Sequence, residues 1–236
     1  MKQTRFYIPE DTPTLAYARE YLLRRGMPIV SEGRYASHVL LGMAPKTLPE
    51  DIPEDAVVMG GKLQALAGVR KVDFLEDPYF LAENAKITAH CALSELLPRL
   101  NSILPECPVL VIGWGRIGKC LAALLKNCGA SVTVASRSEA NRGLLHALGY
   151  QAMDTATLGS NLAGFRAILN TAPELVLDET ADTFTRSDCV KLDLASVPGM
   201  AHAVSLRGLP GKTAPESAGR LMALTAIRLQ GKEGVL

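Results

Sequence analysis

The stretch from Val109 to Arg137 constrains this chain more than any other. It reads VLVIGWGRIGKCLAALLKNCGASVTVASR. An aliphatic run, Val109–Ile112, breaks into a turn with glycines at 113, 115 and 118. A helical pattern follows over 116–127, Gly129 stops it, and a second strand is expected over Ser131–Ala135. A strand, glycine turn, helix and second strand in this register make a βαβ unit of a parallel sheet. The three glycines match G-x-G-x-x-G, the dinucleotide-binding spacing. The first permits the tight turn, the second lets the backbone approach a pyrophosphate, and the third lets helix and strand pack closely. The helix N-terminus then offers unpaired N–H groups and a partial positive charge to that pyrophosphate. Gly113, Trp114, Gly115, Arg116, Ile117 and Gly118 are therefore expected to bind the cofactor.

The alternation continues downstream. A helix is expected over Glu139–Leu148, ended by Gly149, and strands over Ala167–Leu169 and Val190–Leu194. A last helix is expected over Pro215–Leu229. Upstream, a smaller α/β domain occupies residues 1–88. It has a short strand over Thr4–Ile8 and a helix capped by Asp11 or Thr12 and running to Arg25. Further strands are expected over Ser37–Met43, Val57–Gly60 and Val72–Leu75. Leu93, Leu96, Leu97 and Leu100 stand at helical spacing within a helix expected over Ala89–Ile103, and Asn101–Pro108 is polar and bears prolines. Residues 89–108 thus read as an interdomain helix and linker. The expected architecture is α/β, with a C-terminal Rossmann-type, doubly wound parallel sheet over 109–236. Whether the last helix returns to the N-terminal domain stays open.

The end of the second strand bears on which cofactor is bound. An NAD site of this kind carries an acidic residue about 20 residues beyond the glycine loop, on the ribose hydroxyls. Here the strand ends in Ser136, Arg137 and Ser138, with no carboxylate before Glu139. The two hydroxyls can bond a 2′-phosphate and the guanidinium can neutralise it, which favours NADP. Two later strand ends, Asn170-Thr171-Ala172-Pro173 and Asp193-Leu194-Ala195-Ser196, fall where such sheets bind ligands. They read equally well as lining for the nicotinamide ribose or as ordinary turn chemistry.

Composition excludes several classes. The formal net charge is +1, with no long basic run, which gives no reason to expect nucleic acid or an anionic membrane as partner. No apolar run approaches the roughly 20 residues of a membrane span, and no apolar core of signal-peptide length opens the chain. The five cysteines are scattered without a CxxC, as expected of reduced thiols in the cytoplasm, and the four histidines show no metal-ligand spacing. No metal is expected.

The segments VLVIGWGRIG, ILNTAP, LDLASVPG and RGLPGKTAPESAGR together resemble the family of the dipicolinate synthase A subunit. That family is related through its nucleotide-binding domain to the D-isomer-specific 2-hydroxyacid dehydrogenases. The resemblance covers residues 109–230 and extends more weakly upstream through DPYFLAENAKITAH. It implies NADP-dependent oxidation of dihydrodipicolinate, a small dicarboxylate, to dipicolinate. It also implies two α/β domains, a partner in the form of a flavoprotein-like B subunit, and a place in the mother cell of a sporulating bacterium. A homo-oligomer is expected as well. The family's Thr-Ala-Glu reads Thr88-Ala89-His90 here, and the lysine of its AP-K-TAG pattern is Glu216. The segment 198–208 is compressed and is expected to lack a helix and a strand. Two alternatives remain: another NADP-dependent dehydrogenase or reductase of a small carboxylate, and a non-catalytic NADP-binding component of a two-component enzyme.

Dihydropyridine oxidation needs a hydride acceptor, a base for one proton and donors for two carboxylates. His90, at the expected start of the interdomain helix, is the candidate base. Thr88 is a candidate donor to a carboxylate, or a cap of that helix. Glu216 is a candidate substrate contact, or a first-turn carboxylate that stabilises its helix. Lys212 and Arg220 are candidate anion contacts, or solvated surface charges.

Overall fold

The structure is a computed structural model and describes residues 4–9 and 12–231. Asp11, one of the two expected caps, lies outside the described residues. The chain forms two compact units, one of residues 1–87 with 210–236 and one of residues 88–209.

In the first unit the elements are β1 (Phe6–Tyr7), α1 (Pro13–Arg24), β2 (His38–Met43), β3 (Val57–Gly61) and β4 (Arg70–Asp73). The strands pair in parallel in the order β1-β2-β3-β4. Ile29 bridges Phe6 in parallel on the other edge of β1, so the chain order reverses at β1 in the doubly wound manner. Thr12 caps α1 by accepting from the Leu15 amide at 3.3 Å. Helix α2 (Pro78–Leu96) starts in this unit and ends in the other.

In the second unit come β5 (Pro108–Ile112), α3 (Arg116–Asn127), β6 (Ser131–Ala135), α4 (Glu139–Ala147), β7 (Gln151–Met153), β8 (Ala167–Asn170), α5 (Glu179–Asp182), β9 (Val190–Asp193) and β10 (Val204–Ser205). All pair in parallel, in the order β10-β9-β8-β5-β6-β7. Numbered within the unit this is 3-2-1-4-5-6 when read from the β7 edge, the dinucleotide-binding order, and its reversal falls at β5. The expected Rossmann-type sheet is present. Alternate residues of β5 face opposite sides. Leu110 and Ile112 join Leu158, Leu162, Ile168, Leu177 and Met200 in one core. The chain closes with α6 (Leu209–Thr213) and α7 (Pro215–Leu229).

Helix α7 packs within the first unit. Leu221, Met222, Ala223, Ala226 and Leu229 enter a core with Phe6, Leu15, Ala18, Leu22, Leu40 and Met59. Gly219 allows the close approach: a Cβ there would lie 2.2 Å from the Thr14 carbonyl oxygen. Arg228 donates to both carboxylate oxygens of Asp77, and the buried His38 donates from Nε2 to the Gln230 carbonyl at 3.0 Å. No helix among the described residues is long and apolar enough to cross a membrane.

Two expectations are corrected, and one strand is added to those expected. The helix expected over Ala89–Ile103 begins eleven residues earlier and ends at Leu96. Asp77 caps it, accepting from the Phe80 amide at 2.7 Å, and Pro78 fits the first helical position. Its end follows from Pro98, which disfavours α geometry at Leu97 and lacks an N–H. The segment 198–208 holds no helix, as expected, but it does hold a strand, β10, where Val204 and Ser205 pair with Leu192 and Asp193. The strand β7, not foreseen, completes the edge beyond β6.

Candidate functional site

The glycine turn opens at the carboxyl end of β5, where the sheet order reverses and such sheets hold ligands. The three glycines meet three different surroundings. Gly113 has φ +101°, and a Cβ there would lie 2.6 Å from Thr171 Oγ1. Gly118 lies in the first turn of α3, where a Cβ would be 2.2 Å from the Gly113 carbonyl oxygen. Gly115 borders open space, with nothing among the described residues within 4 Å of a Cβ. It is also the N-cap of α3, and no side chain among the described residues caps that terminus. The first and third glycines are thus required by packing. The second leaves bare backbone beside the positive end of a twelve-residue helix, a surface suited to a pyrophosphate.

The other loop residues divide by exposure. Arg116 is exposed and Ile117 half-buried. Trp114 is buried edge-on against Tyr150, with ring centroids 5.7 Å apart, and its Nε1 has no hydrogen-bond partner among the described residues. Trp114 therefore anchors the loop with its ring, and the loop's exposed surface is the Gly115 backbone together with Arg116.

At the end of β6, Ser136 is buried and its Oγ lies 3.4 Å from Asn141 Nδ2. Ser138 caps α4, accepting from the Asn141 amide at 3.3 Å. Arg137 is exposed and pairs with Glu174 at 2.8 Å. Arg142 donates to the carbonyls of Ser136 (2.8 Å) and Arg137 (2.7 Å) and pairs with Asp154 at 2.8 Å. Arg142 and Glu174 escaped the sequence reading. Glu174 stands next to Pro173, but nothing local ties it to a residue 37 positions earlier.

At the ends of β8 and β9, Asn170 and Asp193 turn their side chains into the protein. Asn170 Nδ2 donates to the Ala172 carbonyl and to Asp193 Oδ1, both at 3.1 Å, and its Oδ1 accepts from the Ala172 amide at 2.9 Å. Asp193 also accepts from the amides of Ala195 (3.0 Å) and Gly199 (2.7 Å). Both residues are buried, so their polar atoms shape the two loops. Thr171 Oγ1 donates to the Ile112 carbonyl at 2.9 Å, tying the β8 loop to the start of the glycine turn. Ala172 is half-buried, Leu194 and Ala195 are buried, and Pro173 and Ser196 are exposed.

The candidate catalytic residues are not brought together in one unit. Thr88 and His90 belong to residues 88–209, and Glu216 to the other unit. Both Thr88 and His90 lie inside α2, beyond its midpoint and not at its start. Thr88 is therefore no N-cap; its side chain is buried, whereas His90 is exposed. The missed signal was Asp77-Pro78, a capping carboxylate followed by proline. Glu216 is exposed in the first turn of α7, after Pro215. Lys212 is exposed in α6, and Arg220 lies over the Tyr21 ring at 5.7 Å.

Over 140 residues the chain is 31% identical to the A subunit of dipicolinate synthase from Bacillus subtilis (strain 168). The resemblance to that protein is borne out. The matched stretch is 53% of this chain, and it spans about half, 47%, of the relative's length. Among solved structures, the A subunit of dipicolinate synthase from Bacillus halodurans aligns over 98% of both chains, with TM-score 0.85 and 20% identity. The A chain of dipicolinate synthase from Bacillus subtilis aligns over 98% of this chain and 97% of its own, with TM-score 0.82 and 18% identity. These two show a shared fold. No protein-family model matches the chain.

Proposed function

We propose that this chain binds NADP(H) at the carboxyl end of β5 and β6 and serves the oxidation of dihydrodipicolinate to dipicolinate. The observation that carries the reading is the pairing of two strand ends. Open backbone at Gly115 lies beside a helix N-terminus that no described side chain caps, and the turn after β6 carries Arg137 with no carboxylate before Glu139. Gly113, Gly115, Arg116 and Ile117 would hold the pyrophosphate, and Arg137 the 2′-phosphate. The loops at 171–173 and 194–196 would border the nicotinamide ribose, held in place by the Asn170–Asp193 bonds. The bound nucleotide would supply the hydride acceptor. The remaining proton needs a base, and exposed His90 is the candidate for it. Thr88, Glu216, Lys212 and Arg220 are the further candidates for substrate contact. The substrate and the partner, a flavoprotein-like B subunit, are what the family resemblance implies, and the similarity to a dipicolinate synthase A subunit supports carrying them over.

The test is NADP⁺ reduction, followed by absorbance of the reduced nicotinamide, with freshly generated dihydrodipicolinate. It is run with the chain alone and with the flavoprotein-like partner. Reduction under either condition supports the reading. Turnover only with the partner would make this chain the nucleotide-binding half of a two-component enzyme. Tighter binding of NAD⁺ than of NADP⁺ would sink the cofactor assignment. Turnover unchanged by His90→Ala would remove His90 as base.

A further inference from the structure

Arg137 is not a free cation. Its guanidinium is bonded to Glu174 at 2.8 Å, and the two residues sit on the loops that follow β6 and β8. Those strands flank β5 on opposite sides. A bond between the two loops therefore crosses the carboxyl end of β5, where the glycine turn begins.

Both stems are held firmly. On the β6 side, Arg142 grips the carbonyls of Ser136 and Arg137, and Ser138 caps α4. On the β8 side, the Glu174 backbone lies against Gly199, where a Cβ would be 2.4 Å from the Glu174 carbonyl oxygen. The Val176 amide donates to the Gly199 carbonyl at 2.8 Å. The two paired side chains reach solvent, at 73% exposure for Arg137 and 38% for Glu174. The pair is thus a side-chain strap between two fixed supports.

We infer that Glu174 is a specificity-determining residue that competes with the nucleotide's 2′-phosphate for Arg137. The inference rests on the reading of this unit as nucleotide-binding. A phosphomonoester carries about −1.5 to −2 charges at pH 7 and three strong acceptor oxygens, against one charge and two oxygens for the carboxylate. It displaces Glu174 from the guanidinium, and the strap opens. The 2′-hydroxyl of NAD cannot do this, so the pair stays closed beside it. After displacement the Glu174 carboxylate remains near a phosphate of like sign. Glu174 therefore holds down the affinity for the phosphorylated nucleotide and leaves that for NAD nearly untouched. An exposed ion pair of this kind changes an equilibrium by about two- to fivefold, which sets the scale of the effect.

The experiment is calorimetric titration of the full chain and of Glu174→Gln with NADP⁺, NAD⁺ and adenosine 2′,5′-bisphosphate at low salt. Glu174→Ala serves as a second variant without an amide. In both variants NADP⁺ and the bisphosphate are expected to bind about two- to fivefold tighter, with NAD⁺ unchanged. The gain is expected to shrink as salt shortens the Debye length to a few ångströms. NADP⁺ binding to the wild type with an unchanged NADP⁺/NAD⁺ ratio in both variants overturns the strap alone. So does a selective loss of NAD⁺ affinity in Glu174→Gln, which would mark Glu174 as a ribose ligand. Failure of the wild type to bind either dinucleotide overturns the nucleotide-binding reading, and the strap with it.

Discussion

Two alanine substitutions in the glycine turn separate folding from binding. At Gly118 a Cβ would lie 2.2 Å from the Gly113 carbonyl oxygen and 3.1 Å from Thr171 Oγ1. Alanine gains about 1 kcal/mol of helix propensity over glycine. Overpacking costs about 1–3 kcal/mol, and a backbone carbonyl cannot swing aside, so the upper end applies. Gly118→Ala should therefore lose about 2 kcal/mol, or about 4–8 °C in Tm for a chain of this size. At Gly115 a Cβ meets nothing within 4 Å, and φ −80° is open to any residue. Gly115→Ala should stay within about 0.5 kcal/mol of wild-type stability. Its methyl group would stand where the pyrophosphate must approach, so NADP⁺ affinity should fall at least tenfold, about 1.4 kcal/mol. Thermal melts by circular dichroism and titration calorimetry read the two effects independently. Wild-type affinity in Gly115→Ala would refute the assignment of this turn to the nucleotide. A wild-type Tm in Gly118→Ala would refute the helix–strand contact.

Arg137→Ala should weaken NADP⁺ by about tenfold or more, the worth of a charge-assisted hydrogen bond, and leave NAD⁺ unchanged; paired titrations check it. Asp193→Ala orphans one N–H of the Asn170 amide and two backbone N–H groups, at about 1–3 kcal/mol each, so a loss of more than about 3 kcal/mol is expected in urea unfolding. Burial lowers the pKa of His38 below its ordinary 6.5, despite its bond to the Gln230 carbonyl. The unfolded chain then binds the proton more readily, so stability should fall as pH drops from about 6.5 towards the depressed value. His38→Gln should show a smaller Tm difference between about pH 7.5 and about pH 5.5 than the wild type does. Burial pushes the Cys189 thiol up to about 11, so it should react with a disulfide reagent at mildly alkaline pH far more slowly than exposed Cys128; mass spectrometry of early adducts distinguishes them.

The unit from β5 to β6 was readable in the sequence almost to the residue. Helix α3 spans Arg116–Asn127 and β6 spans Ser131–Ala135, as the periodicity predicts. The signals there are local: an aliphatic run, glycines at fixed spacing, and a helical stripe that Gly129 closes at φ +90°. The last helix, Pro215–Leu229, was legible for the same reason. The start of α2 is also written locally, in Asp77-Pro78, but the regular leucine spacing that marks a helix lies only further along, from Leu93.

What the sequence by itself determined is the set of elements whose hydrogen bonds and apolar faces depend on near neighbours. Only the tertiary structure decided the rest. Strands β7 and β10, of three and two residues, carry too little pattern to be read and exist because β6 and β9 offer them an edge. Asn170 and Asp193 read equally as lining for the nicotinamide ribose or as turn residues, and adjacent strands let them satisfy each other across 23 positions. Arg137 reads as a free cation until the sheet order brings Glu174 to it. A side chain's partners depend on which strands lie side by side, and that order is set by the packing of the whole unit.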